Sequence, residues 1–135
     1  MKYLGIDFGE KRVGIAVSDE EGKLAFPHDV LENKENLLDE ILKIIEKEKI
    51  GEIVMGESKN FKNEPNKIMQ EIEKFKQILE DLPAQAGKTK LKVNLEPEFM
   101  TSAQAEQIQG KNEMHDASAA AIILQSFLDR KSSMI

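Results

Sequence analysis

Three carboxylates stand where this chain changes from one element to the next. They are Asp7 in Gly5-Ile6-Asp7-Phe8-Gly9, Glu98 in Leu95-Glu96-Pro97-Glu98-Phe99, and Asp116 in His115-Asp116-Ala117-Ser118. Asp7 lies inside an otherwise apolar run, where a carboxylate is costly unless it is paired or binds a cation. Glu98 follows the alternating Leu91, Val93 and Leu95, and Asp116 opens an alanine-rich stretch. Carboxylate oxygens suit Mg²⁺ and Mn²⁺. Two such ions about 4 Å apart can activate a water and stabilise the leaving oxygen of a phosphodiester. That chemistry needs no covalent nucleophile, which fits a chain with no cysteine and no serine–histidine arrangement. Plainer readings stay open at each position. Asp7 can cap a turn or pair with Lys11 or Arg12, Glu98 can be a solvated surface acid, and Asp116 can be an ordinary helix N-cap.

The elements that must position these groups follow from patterning. Residues 2–7 and 12–19 are the first two strands, with Val13, Ile15 and Val17 alternating against small residues, and the turn between them carries Gly9. Residues 20–23 make a hairpin turn into a third strand over 24–31, where Pro27 fits an edge or a bulge. An amphipathic helix is expected over 34–49, ended by Gly51, then a short buried strand over 52–56 that returns parallel to the first. Pro65 suits the first turn of a second helix, whose core stripe is Ile68, Ile72, Phe75, Leu79 and Leu82. A fifth strand covers 91–95, Thr101 and Gln104 form a capping box, and a last helix covers 116–129. The sum is an α/β domain with a mixed five-stranded sheet over residues 1–130 and a frayed tail over 131–135.

In α/β sheets functional groups gather beyond the carboxyl ends of the parallel strands, so two strand-end acids and a helix-start acid can meet in one cleft. Lys11, Arg12 and Lys59 flank that cleft and are the candidates for phosphate binding. Glu57 is an extra acid at a strand end, read first as an exposed loop acid and otherwise as a supporting partner behind the ligand groups. His28 reads as a surface histidine, and His115 as a capping or exposed residue before it reads as a proton donor. Lys88, Lys90 and Lys92 read as a solvated strand edge.

Gly5-Ile6-Asp7-Phe8-Gly9-Glu10-Lys11-Arg12-Val13-Gly14-Ile15-Ala16-Val17-Ser18-Asp19 resembles the opening of the YqgF (RuvX) family of ribonuclease-H-like nucleases. The spacing, the Lys-Arg pair and the closing Ser-Asp all match that pattern. Asp116-Ala117-Ser118-Ala119-Ala120, followed by Ile122-Ile123-Leu124-Gln125 and Phe127-Leu128, is similar to the family's last helix. The family's second acid lies in an Asp-Glu-Arg segment followed by two hydroxyl residues. Here Pro97-Glu98-Phe99 with Thr101-Ser102 stands there, so Glu98 is kept while the flanking Asp and Arg are replaced. Glu96 takes the role if the register shifts by two. Ser58 stands where the family has a proline. The resemblance spans the whole chain. It implies a ribonuclease-H-like fold and a nuclease with Asp7, Glu98 and Asp116 as catalytic acids and ligands of Mg²⁺ or Mn²⁺. It also implies nucleic-acid substrates: the family is associated with 5′-end maturation of the 16S rRNA precursor, and was assigned as a Holliday junction resolvase by similarity to RuvC.

Composition limits the alternatives. A chain of 135 residues holds one domain with a real core, but not the two lobes between which an actin-like kinase holds ATP. That argues against the ATP reading of the Asp-x-Gly start. No apolar run approaches the roughly 20 residues of a membrane span, and the N-terminus lacks a signal pattern, which suggests a cytoplasmic protein without a membrane partner. The formal net charge of −6 speaks against broad charge-driven binding and leaves room for a local basic patch. Precursor rRNA is preferred to branched DNA as the partner. A junction resolvase cuts two strands symmetrically and normally works as a dimer, and the sequence marks no strong dimer surface. Monomer and homodimer both remain open, as does a non-catalytic nucleic-acid or ribosome-binding module.

Overall fold

A computed structural model describes residues 1–57, 67–82, 90–97 and 115–133. The strands are β1 (Lys2–Phe8), β2 (Arg12–Ser18), β3 (Ala25–Glu32), β4 (Ile50–Gly56) and β5 (Lys92–Glu96). The helices are α1 (Leu37–Glu48), α2 (Lys67–Asp81) and α3 (His115–Ser133). The strands form one sheet in the order β3-β2-β1-β4-β5. β1, β2 and β3 pair antiparallel, and β4 joins β1 and β5 in parallel. This is the mixed five-stranded α/β sheet expected from the sequence.

Side-chain alternation divides the sheet into two faces. Leu4, Ile6 and Phe8 of β1 pack with Ile53 and Met55 of β4 and Val93 of β5 beneath α1 and α2. The stripe Met69, Ile72, Phe75 and Leu79 of α2 closes that core, with Ile68 and Leu82 at its margin. Tyr3, Ala16 and Val54 face the other way, under Ala120, Ile123, Leu124 and Leu128 of α3. The small residues let this helix lie close. A Cβ added at Gly5 would be 2.8 Å from Leu124 Cβ and 3.0 Å from the Ala120 carbonyl oxygen.

Several boundaries differ from the sequence reading. The first helix ends at Lys49, which takes the left-handed conformation at φ 56°, its N–H reaching back to the Glu46 and Ile45 carbonyls. Gly51 instead belongs to β4, where a Cβ would be 2.6 Å from Met1 Cγ, so its smallness serves packing. β3 is an edge strand, as Pro27 implied. Ile15 pairs with Asp29 and Ala16 with Pro27, so His28 is the extra residue of a bulge. The last helix continues through Ser133 instead of fraying from residue 131. Lys131 holds it down, donating to the Tyr3 hydroxyl with its ammonium 4.7 Å from the Tyr3 ring centroid. Ser18-Asp19 is structural. Ser18 Oγ accepts the Tyr3 N–H at 2.8 Å, and Asp19 Oδ1 accepts the N–H groups of Lys23 and Leu24 at 2.8 and 3.2 Å. Those hydrogen bonds hold the Asp19 carboxyl below the usual range, the one from Lys23 foremost. The expected start at Pro65 and the capping box at Thr101 lie outside the described residues.

Candidate active site

The parallel strands β1, β4 and β5 end together along one edge. Ile6 pairs with Met55 and Gly56 pairs with Glu96, so Asp7, Gly56 and Glu96 fall in one row across the strand ends. Alternation puts Asp7 on the same face as Tyr3 and Gly5, the face that α3 covers, and leaves it half-buried. Ile123 fills the middle of the row: a Cβ at Gly56 would be 2.7 Å from Ile123 Cδ1.

The placement of Asp116 follows from how α3 crosses β1. The Ala120 carbonyl lies against Gly5, and Lys131 lies at Tyr3, so the helix runs opposite to the strand. Asp116 is one turn before Ala120, about 6 Å along the axis. Asp7 is two residues beyond Gly5, about 6.6 Å along the strand. The start of α3, which carries Asp116, therefore lies on the Asp7 side of Gly5, toward the strand ends. The side chains of His115 and Asp116, and all of Glu98 and Lys59, lie outside the described atoms. Glu98 is two residues past the end of β5 in sequence. Among the described residues no three His, Asp or Glu side chains form a ready metal cluster.

Lys11 and Arg12 are exposed on the turn that follows Asp7, closed by the Gly9 N–H donating to the Arg12 carbonyl at 3.0 Å. Asn33, which the sequence reading passed over, braces this turn. Its Nδ2 donates to the Gly9 carbonyl at 2.8 Å and its N–H to the Lys11 carbonyl at 2.9 Å. The only sequence signal is a polar residue just past an edge strand.

Glu96, the fallback to Glu98, is 1% exposed. Its Oε2 makes no aligned hydrogen bond, but lies 2.7 Å from Arg130 NH2 as an ion pair. Burial raises the Glu96 carboxyl, Arg130 opposes that rise, and the charge of Glu57 adds to it. Glu57 itself donates its N–H to the Glu96 carbonyl at 2.9 Å, tying β4 to β5 beyond the last strand pair. Lys90 and Lys92 are exposed, as a strand edge should be. His28 is more enclosed than a surface histidine, with Nε2 3.9 Å from Glu48 Oε2.

The donors placed or expected at this edge are carboxylate oxygens, with neither sulfur nor a histidine pair. That set fits a hard divalent cation such as Mg²⁺ or Mn²⁺.

Comparison with known proteins adds three findings. The RuvX family profile, described as Holliday junction resolvase, matches residues 1–130. A protein of Maridesulfovibrio salexigens named "Putative pre-16S rRNA nuclease" is 37% identical over 96% of this chain and 99% of its own length. One of the same name from Nitratidesulfovibrio vulgaris is 33% identical over 98% and 96%. Among solved structures, the fowlpox virus resolvase complexed with Holliday junction DNA superposes with a TM-score of 0.63 at 10% identity, covering 97% of this chain and 99% of that one. Thermus thermophilus RuvC complexed with a Holliday junction substrate gives 0.57 at 16%, covering 98% and 96%. At those identities the likeness is one of fold.

Proposed function

Because this chain belongs to the RuvX family, we propose that it is a metal-dependent nuclease that hydrolyses phosphodiester bonds in 5′-end maturation of the 16S rRNA precursor. The observation that supports the site most directly is the crossing of α3 over β1. It directs the start of α3, with Asp116, toward the carboxyl edge of the three parallel strands, which supports a site there. Asp7, Glu98 and Asp116 are the ligands we assign to Mg²⁺ or Mn²⁺. When bound, the ion supplies charge stabilisation to the phosphate and makes water a competent nucleophile. The water oxygen bonds to phosphorus and gives up a proton to solvent, the bond to the leaving ribose oxygen breaks, and that oxygen takes a proton from solvent.

The protein's part is to place the phosphate. Lys11 and Arg12, on the braced turn after Asp7, and Lys59 give it positive partners beside an acidic centre. Pro97 and Phe99 stand where the family has Asp and Arg, so these cations carry what that arginine would contribute. No helix of the described residues is long and apolar enough to cross a membrane. We place the protein in the cytoplasm, where ribosomal RNA is processed.

The family description as a Holliday junction resolvase supports a second reading, cleavage of branched DNA. One experiment separates the two. A labelled 5′-extended 16S precursor fragment and a four-way DNA junction are each incubated with Mn²⁺, Mg²⁺ or EDTA, beside Asp7→Asn. Metal-dependent cutting of the RNA, lost in the variant, is the expected result. Cutting of the junction alone establishes the resolvase. Cutting of neither by folded protein leaves a nucleic-acid-binding module.

A further inference from the structure

Among the described residues β5 is an edge strand of five residues, paired with β4 alone. Its last residue, Glu96, is where an apolar side chain would ordinarily be buried. The carboxylate there is 1% exposed and meets Arg130 at 2.7 Å. Arg130 is seven residues beyond Ile123 on α3, two turns along the same side of the helix. Its guanidinium also lies 6.0 Å from the Phe127 ring centroid. Ile123, packed over Gly56, separates Glu96 from Asp7 in the row. Glu96 is thus tied to α3 through Arg130.

Only the carboxylate of this pair is buried, the Arg130 side chain being half exposed. A carboxylate taken out of water is a poor way to gain stability, since an apolar side chain of similar volume serves as well or better. What the pair supplies is directional. A planar guanidinium holds a carboxylate in one geometry, and arginine keeps its charge at every relevant pH. We propose that Glu96 and Arg130 are a positioning pair. They fix the end of β5, which leads into Glu98, against α3, which carries Asp116, and so set the spacing of two of the three acids. This consequence rests on the nuclease reading above.

The test uses Arg130→Met, Arg130→Lys and Glu96→Gln in the full chain. Each is assayed for Mn²⁺ affinity by titration calorimetry, for kcat and KM on the cleaved substrate, and for amide exchange at Glu57, whose N–H reports the end of β5. Arg130→Met should weaken Mn²⁺ binding about tenfold and lower kcat about tenfold with KM within about twofold. It should also speed Glu57 exchange, and Arg130→Lys should recover most of each loss. Glu96→Gln, which leaves no stranded charge if Arg130→Met fails to fold, should move the same readouts in the same direction. Variants that lower only the melting temperature, with Mn²⁺ affinity, kcat and Glu57 exchange unchanged, overturn the proposal. Wild-type protein that binds no Mn²⁺ and cuts nothing overturns the nuclease reading instead. Glu57 exchange then still decides whether Arg130 holds β5: unchanged exchange overturns the pair and faster exchange upholds it.

Discussion

Asn33 Nδ2 donates to the Gly9 carbonyl at 2.8 Å, so the end of β3 braces the turn that leaves Asp7 and presents Lys11 and Arg12. Asn33→Ala removes this bond while leaving the Asn33 backbone N–H on Lys11. The expected loss of stability is about 1 kcal/mol, measured by denaturant unfolding. Cleavage should fall more than stability does, because the freed turn no longer fixes the cations. Asn33→Asp should behave like the alanine variant, since a carboxylate cannot donate to Gly9. Unaltered cleavage in both variants would show that the brace serves folding alone.

Gly5 and Gly56 both sit under α3, but they should respond differently to alanine. At Gly5 the new Cβ meets the Ala120 carbonyl, which is backbone, and Leu124 Cβ. The helix must lift, at a cost of about 3 kcal/mol, and its start, which carries Asp116, shifts with it. At Gly56 the new Cβ meets the tip of Ile123, which can rotate, so about 1 kcal/mol is expected. Thermal unfolding of the two variants checks the order. A larger loss for Gly56→Ala would mean that Ile123 has no alternative rotamer.

Much of this arrangement was legible in the residues. Alternation in β1 and β2 and the stripe of α2 are direct consequences of one buried face, and a periodic pattern reports a buried face. The parallel return of β4 followed from a helix between two strands. What stayed hidden depends on contacts between distant segments. Lys49 ends α1 although glycine is the usual residue, because β4 begins immediately and Gly51 is needed against Met1. Ser18-Asp19 looked like part of a functional motif, but it accepts backbone N–H groups from Tyr3, Lys23 and Leu24. The burial of Glu96 could not be foreseen. Its partner is 34 positions away in sequence (130 − 96), on a helix that sequence reading ended at 129.

The acid limb of stability should trace in part to Glu48 and Glu80. The hydrogen bond from Lys2 to Glu48, 2.9 Å, and that from Lys76 to Glu80, 2.8 Å, are the main causes that lower each carboxyl below its ordinary 4.5. A carboxyl depressed in the folded state contributes stability above the unfolded pKa and loses it as pH falls through the folded one. The contribution is thus complete above about pH 5 and fades below 4.5. Each pair is partly solvated and is worth about 0.5 kcal/mol. Glu48→Gln should lower stability at pH 7 by that order and leave a shallower decline at low pH. An unchanged acid limb in Glu48→Gln and Glu80→Gln together would assign it to other carboxylates.

Charge on the β1–β2 turn should govern how nucleic acid binding depends on salt. With a net charge of −6, long-range attraction to a polyanion is unfavourable, so affinity depends on a few local cations. Each phosphate contact releases condensed counterion, and log K falls linearly with log salt. Lys11→Ala and Arg12→Ala should each weaken binding and reduce that slope by about 1. Lys23 provides the control. It is exposed on the β2–β3 turn at the opposite end of β2, its ammonium 3.3 Å from Glu21 Oε2. Lys23→Ala should leave the slope unchanged. The measurement is fluorescence anisotropy with a labelled RNA from 50 to 200 mM salt, in EDTA so that cleavage does not interfere. Equal slopes for all three variants would remove the turn from the binding surface. A smaller slope for Lys23→Ala alone would move the phosphate track to the other end of the sheet, away from Asp7.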